Sequence, residues 1–246
     1  MGQAVRIMKY DRGANERAAI TALSLGLPSG QSTCSSDLLK LQWYRLDDGV
    51  MGGQSQTQHE RINDTDNSIK DGVLHFTGTI NTNGGGFASI RTKLPTPARN
   101  ALASSNPMGI RIRFRGDGKT YKVLLKGPGG GGPFSRTPSW QADITTKPLV
   151  ASDGTSQSTT NTDDAFWQEC TIPLASLLPT FGGSAASRPN ADEQAQYRLD
   201  AASLDELGFM LSLKLSDGSP NPVETFGEGI FPFSLWIQSI ELVQLN

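Results

Sequence analysis

The sequence predicts an all-β fold, an antiparallel β-sandwich of the jelly-roll kind preceded by a short N-terminal arm. Three observations point there. Several runs alternate apolar and polar residues with a period of two, the pattern of a half-buried strand. Each run ends in a turn signal such as Asp71-Gly72, Gly116-Asp117-Gly118 or Asp217-Gly218. The 27 Gly and 14 Pro among 246 residues, with only 19% charged residues, favour many turns and short strands over long helices. A chain of this length with 36% hydrophobic residues fits one large all-β domain with a filled core.

Residues 1–36 read as an arm and 37–246 as a single jelly-roll domain. The arm is mildly basic, with Arg6, Lys9, Arg12 and Arg17 against Asp11 and Glu16. Within it Ala18, Ala19, Ala22 and Leu23 recur at helical spacing before Gly26 and Pro28, which predicts a short helix from near Asn15. So short a helix needs a surface to dock on. The arm is therefore either a frayed terminus or a segment that packs on a partner.

In the domain the first alternating run holds Leu74, Phe76 and Ile80, and the next is 87–92. In 110–115, Ile110, Ile112 and Phe114 face inward while Arg111, Arg113 and Arg115 face outward. Further strands are predicted at 121–126, 139–144 and 167–172, and over Phe209, Leu211, Leu213 and Leu215. In the last run, 233–243, Phe233, Leu235 and Ile237 share one face and Ile240 and Leu242 the other, which predicts a bulge near Gln238-Ser239. The linkers 127–133, 151–165 and 182–196 are glycine-rich or polar and are expected to be mobile or ordered by a partner.

Charge and motifs exclude several functions. A net charge of −2 and a pI near 5.7 do not describe a general nucleic-acid binder. No run approaches 18 consecutive apolar residues, so no membrane span is expected. The first residues lack the apolar core of a secretory signal, and Arg6 stands where a myristoylation motif needs Ser or Thr. Cys34 and Cys170 lie far apart with no CxxC, which suits a reducing compartment and leaves their pairing open.

Gly118-Lys119-Thr120 resembles the end of a phosphate-binding loop, but Arg113 occupies the place of its first glycine. His59-Glu60 lacks the second histidine of a zinc motif, since Asn63 stands there and His75 lies in a strand pattern. The pairs Asp47-Asp48 and Asp163-Asp164 point apart on an extended chain, unlike a glycosidase pair. No G-x-S-x-G is present. The residues thus offer no support for an enzyme, and neither a cofactor nor a metal is expected. Candidate partner contacts are the stripe Arg111, Arg113, Arg115 and Lys119, and Arg6, Lys9 and Arg12 of the arm. The stripe reads equally as a solvated strand face.

One segment is more specific than these. Trp43-Tyr44-Arg45-Leu46-Asp47-Asp48-Gly49-Val50-Met51-Gly52-Gly53-Gln54-Ser55 resembles the opening signature of the complex I intermediate-associated protein 30 family, a Trp followed by Asp-Gly-Val-Met-Gly-Gly-x-Ser. Phe76-Thr77-Gly78, the run from Gly85 and Gly86 through Phe87 to Arg91, and the turn Gly116-Asp117-Gly118 with Tyr121 are similar to later family segments in order and spacing. Pro173-Leu174 and 233–240 fit its close, so the resemblance covers roughly 39–244.

The resemblance implies a galactose-binding-like jelly roll and a non-enzymatic protein that assists or scaffolds a large respiratory or photosynthetic complex. It also admits a resident linker subunit of a photosynthetic antenna. A carbohydrate-binding module is the alternative from related sandwiches, with Trp43, Trp140, Trp167 and Trp236 as the aromatics it would need. The expected partners are subunits of such a complex, and the expected place is the chloroplast stroma, the mitochondrial matrix or a prokaryotic cytoplasm. In the signature, Gly49, Gly52 and Gly53 suit a tightly folded loop, with Val50 and Met51 expected to anchor it in an apolar pocket, so the family motif is expected to be structural, with a binding loop as the alternative.

Overall fold

The computed structural model describes residues 22–24, 41–62, 73–103, 108–130, 137–148, 167–181 and 198–245. Two six-stranded antiparallel sheets carry the chain. The first runs β3 (Gln56–Ile62), β4 (Val73–Asn81), β12 (Ile230–Gln244), β6 (Met108–Gly116) and β9 (Gln168–Pro173), with β1 (Ala22–Ser24) also on β12. The second runs β10 (Leu178–Thr180), β8 (Ser139–Thr145), β7 (Thr120–Lys126), β11 (Glu206–Ser212), β5 (Phe87–Lys93) and β2 (Trp43–Arg45). The two sheets and their core make the predicted sandwich.

The alternation places the core as expected. Phe76, Ile110, Ile112, Phe114, Phe233, Leu235 and Ile237 of the first sheet meet Ile90, Tyr121, Val123, Leu125, Phe209 and Leu211 of the second in one buried cluster. Phe76 and Phe233 make an edge-to-face pair at 4.8 Å, which interlocks β4 and β12. Register along β12 shifts between Ile237 and Ser239, the predicted bulge. The extra residue turns Ile240 and Leu242 into the same core as Ile237, so both halves of a 15-residue strand bury their apolar side. Helix α1 (Thr96–Leu102) closes one end with Ala98 and Leu102.

Two sequence expectations fail here. Ala22–Ser24, placed in a helix by their spacing, form β1 and pair Ala22 with Val243, Leu23 with Leu242 and Ser24 with Glu241. β4 pairs with β12 only up to Ile237, so the second half of β12 offers a row of backbone donors and acceptors that an extended segment can bond. The remainder of the proposed helix, with Arg6, Lys9, Arg12 and Cys34, lies outside the described residues. So do linkers 151–165 and 182–196, whereas Gly127–Gly130 of the third make a tight turn closed by Gly130 N–H to Gly127 O at 3.0 Å.

The second failure is at Leu213 and Leu215. β11 begins earlier, at Glu206, and ends at Ser212. Beyond it the chain makes its own small hairpin, Leu215 bonding Ser219 across the Asp217-Gly218 turn with Gly218 at φ 94°. The short or polar strands β2, β3 and β10 have no apolar alternation and were not signalled by the sequence. All three sit at sheet edges.

Candidate functional site

The signature segment leaves β2 and folds into a single 3-10 turn, Asp48–Met51, which Gly52 ends at φ 89°. The Asp48 side chain is buried and accepts four hydrogen bonds. Oδ1 takes the Ser55 N–H at 2.9 Å, and Oδ2 takes the Ser55 hydroxyl at 2.6 Å, the Gly86 N–H at 2.6 Å and the Phe87 N–H at 3.3 Å. The carboxylate is thus the knot between the β2–β3 loop and the start of β5. Asp47 does the same one step outward, accepting from Thr57 N–H at 2.9 Å, from the Thr57 hydroxyl and from Ser89 N–H at 3.4 Å.

Two glycines let this happen. A Cβ on Gly53 would lie 2.3 Å from Asp48 Cγ, and one on Gly85 would lie 2.2 Å from Asp48 Oδ2. The Gly-Gly pairs of the signature therefore give room for the carboxylate, a role their spacing alone does not reveal.

With Asp48 turned inward, the tip of the turn points out. Val50 is 71% exposed and Met51 65%, the opposite of the expected anchoring in an apolar pocket. The physical reason is that the loop is held by the hydrogen bonds of Asp47 and Asp48, so apolar anchoring is not needed. The loop joins two others at the same end of the sandwich. Leu213 N–H bonds Gly86 O at 3.0 Å, and Thr82 and Gly229 exchange bonds at 2.9 and 3.1 Å.

The arginine stripe is also different from its expectation. Arg111, Arg113, Arg115 and Lys119 are half-buried rather than freely exposed. Arg111 pairs with Glu241 at 3.5 Å and Glu169 at 3.7 Å, and Arg113 Nε donates to Gln238 Oε1 at 2.5 Å. The Arg115 guanidinium lies 5.0 Å from the Trp167 ring and 5.1 Å from Trp236, whose other neighbour is His75, stacked at 4.5 Å. Lys119 pairs with Asp117 at 3.6 Å and sits 5.4 Å from the Phe231 ring.

The Gly116-Asp117-Gly118 turn holds two elements together. Asp117 Oδ1 accepts from the Tyr121 hydroxyl at 2.9 Å, and Oδ2 accepts from Ser234 N–H at 3.0 Å. Gly118 takes φ 89°, and a Cβ on Gly116 would meet Thr146 Cγ2 at 2.5 Å. Burial first, and then Asp117, push the Tyr121 phenol well above its usual value.

A centre the sequence did not signal surrounds Glu206, buried on β11 between β5 and β7. Lys126 Nζ reaches Oε1 at 2.9 Å, Arg91 at 3.5 Å and Lys93 at 3.5 Å on the other oxygen, and the Tyr44 hydroxyl donates to it as well. Burial would raise the Glu206 carboxyl. The bonds from Tyr44 and Lys126 and the charges of Lys126 and Arg91 outweigh that and lower it. Tyr44 is itself pushed up by burial and by Glu206. Register brings Lys93, Glu206 and Lys126 into one row across three strands, which only the sheet order reveals.

A cleft of about 360 Å³ opens between β8 and β9, lined by Asp143, Glu169, Cys170 and Ser176 among others. Burial and then Glu169 raise the Cys170 thiol to about 11, so it stays protonated near neutrality and is a poor nucleophile. Among the described residues no helix is long and apolar enough to cross a membrane.

The profile of a known family, complex I intermediate-associated protein 30, matches residues 32–237, a span that includes the signature loop, Asp48 with its two glycines and the Gly116–Tyr121 turn. The chain belongs to the complex I intermediate-associated protein 30 family. A search of curated proteins found no significant sequence match. Among solved structures the chain is similar to the family 11 carbohydrate-binding module from Clostridium thermocellum in complex with a beta-1,3-1,4-mixed-linked tetrasaccharide, at 12% identity and a TM-score of 0.47, over 91% of this chain and 94% of that one. The same organism's family 11 module of cellulase Lic26A-Cel5E gives 11% identity and 0.49 over 94% and 97%. A family 30 carbohydrate-binding module gives 13% and 0.41 over 78% and 92%.

Proposed function

We propose that this member of the complex I intermediate-associated protein 30 family is a non-catalytic scaffold that holds subunits of a large respiratory or photosynthetic complex during or after its assembly. The observation that carries the reading is the signature loop. Its one buried carboxylate is consumed in four internal hydrogen bonds, so it offers no group for chemistry, and what it presents outward is apolar surface on a rigid mount. A preorganised apolar tip suits protein binding, because little order is lost on contact. The location in keeping with this is an organelle interior or a prokaryotic cytoplasm.

The tryptophans weigh against the carbohydrate alternative. Trp140 is buried, Trp43 packs 6.0 Å from Phe209 of the core, and Trp236 has His75 and Arg115 on it. These rings are taken up by the protein itself rather than presented as a stacking platform.

Gentle native extraction, sizing and mass spectrometry of what co-migrates tests the reading. Substoichiometric association with partial complexes is the expected result. A fixed stoichiometry in a mature respiratory or antenna complex makes it a resident subunit instead. A lone 26.4 kDa species, with binding on a glycan array, overturns the scaffold reading in favour of the carbohydrate one.

A further inference from the structure

We infer that the loop end of the sandwich is the docking surface, and that it takes an apolar segment of a partner protein flanked by Lys or Arg. The inference rests on the scaffold reading and adds the face and the chemistry of its occupant. Seven large apolar side chains are exposed among the described residues, and five of them, Val50, Met51, Leu213, Val223 and Ile230, lie on the joined loops of this one end or at their margins. Val223 opens α2 (Val223–Phe226), and Ile230 is the first residue of β12, opposite Asn81. Hydrogen bonds from Gly86 to Asp48, from Leu213 to Gly86 and between Thr82 and Gly229 tie the three loops into one mount. Such a concentration of exposed apolar side chains on a rigid surface marks an interaction site.

The charges select the occupant. On residues 46–55, 82–86 and 213–230 the exposed charged side chains are Asp217, Glu224 and Glu228, all acidic, while Lys214 is half-buried; the cations beside these three loops are Arg45 at the end of β2, Lys147 after β8 and half-buried Lys119, which lies against Phe231 and pairs with Asp117. Anionic lipid headgroups are repelled by such a rim. A two-fold second copy would set the same acids face to face, which is unfavourable. A segment with apolar residues at its centre and Lys or Arg at its flanks satisfies both the tip and the rim.

The test places p-benzoylphenylalanine at Met51 of the full chain, and at Leu178 as a control, and irradiates the native extract. The expected adduct at position 51 maps by mass spectrometry to a protein segment with at least two Lys or Arg beside an apolar run. Its yield falls at least five-fold with Glu224→Lys/Glu228→Lys, and the Leu178 probe does not give it. Adducts to lipid, to a second copy of the chain or to an acidic segment overturn the inference, as does a yield no higher than at Leu178.

Native sizing of Val50→Asp/Met51→Asp separates the two claims. If the wild type co-migrates with a complex and the variant does so equally, this surface is wrong and the scaffold reading stands. If the wild type itself migrates alone, the scaffold reading falls and the inference with it.

Discussion

The signature loop and the arginine stripe exchange the roles their residue types suggest. The loop carries two apolar residues expected to be buried, and both are exposed; the stripe carries three arginines expected to be exposed, and all are half-buried against partners. The difference lies in where hydrogen-bond partners are. Asp48 has four donors within reach and so folds the loop around itself, releasing Val50 and Met51. Arg111 and Arg115 have Glu241 and two indole rings beside them, and so lie down on the sheet. Residue type names what a side chain prefers, and the neighbours supplied by the fold decide which preference is met.

The largest expected effect follows from removing the knot. Asp48→Ala leaves four donors without their acceptor at a buried site and should cost about 3 kcal/mol or more. Chemical denaturation measures it, and a loss under about 1 kcal/mol would mean that the loop is not held by this carboxylate. Gly85→Ala drives a Cβ to within 2.2 Å of the same oxygen and should cost about 2 kcal/mol through displaced bonds. If instead the two changes together cost the sum of each alone, the glycine does not act through Asp48.

The strands that build the core were legible because they alternate: Ile110, Ile112 and Phe114 could face only one way. The bulge after Ile237 was legible because two apolar sets on opposite faces of one strand need an extra residue between them. The edge strands β2, β3 and β10 were not, since β2 and β10 are only three residues long and β3 is polar up to Ile62, too little for an alternation to show. β1 was not, because its three residues owe their conformation to the unpaired flank of β12 rather than to their own periodicity. At the site, the signature was legible as a folded loop, yet its orientation was hidden, because the partners of Asp48 lie 38 and 39 residues away at Gly86 and Phe87. The Glu206 centre depends on the pairing of three strands and leaves no local trace.

The Glu206 centre should respond to pH. Its carboxyl is lowered in the folded chain, so the stability it contributes is present above the unfolded value, about 4.3, and is lost as pH falls through the folded one. Glu206→Gln should cost about 2 kcal/mol at pH 7, less than a fully buried pair because Lys93 and Lys126 are partly solvated. The cost should shrink as pH drops below about 4.3, where the unfolded chain takes up a proton before the folded one does. Unfolding at pH 7 and at pH 3 tests this, and an equal cost at both would remove the charge argument. Smaller again, Arg115→Met keeps the apolar stem but loses the guanidinium over Trp167 and Trp236, an expected loss of about 1 kcal/mol.

The smallest effect on stability is the one that most sharpens the contrast between loop and stripe. Val50→Ser/Met51→Ser changes two side chains that touch solvent and leaves Asp48, Gly53 and Ser55 in place, so the unfolding free energy should move by no more than about 0.5 kcal/mol. Association with the native complex should nonetheless weaken, by tenfold or more if the pair fills a pocket in the partner. A matched change in the stripe, Arg113→Ser, should do the reverse: it breaks the bond to Gln238 and lowers stability modestly, while leaving association intact. If the stripe variant weakens association and the loop variant does not, then the contact lies on the first sheet and the exposed tip is an incidental result of how Asp48 folds its loop.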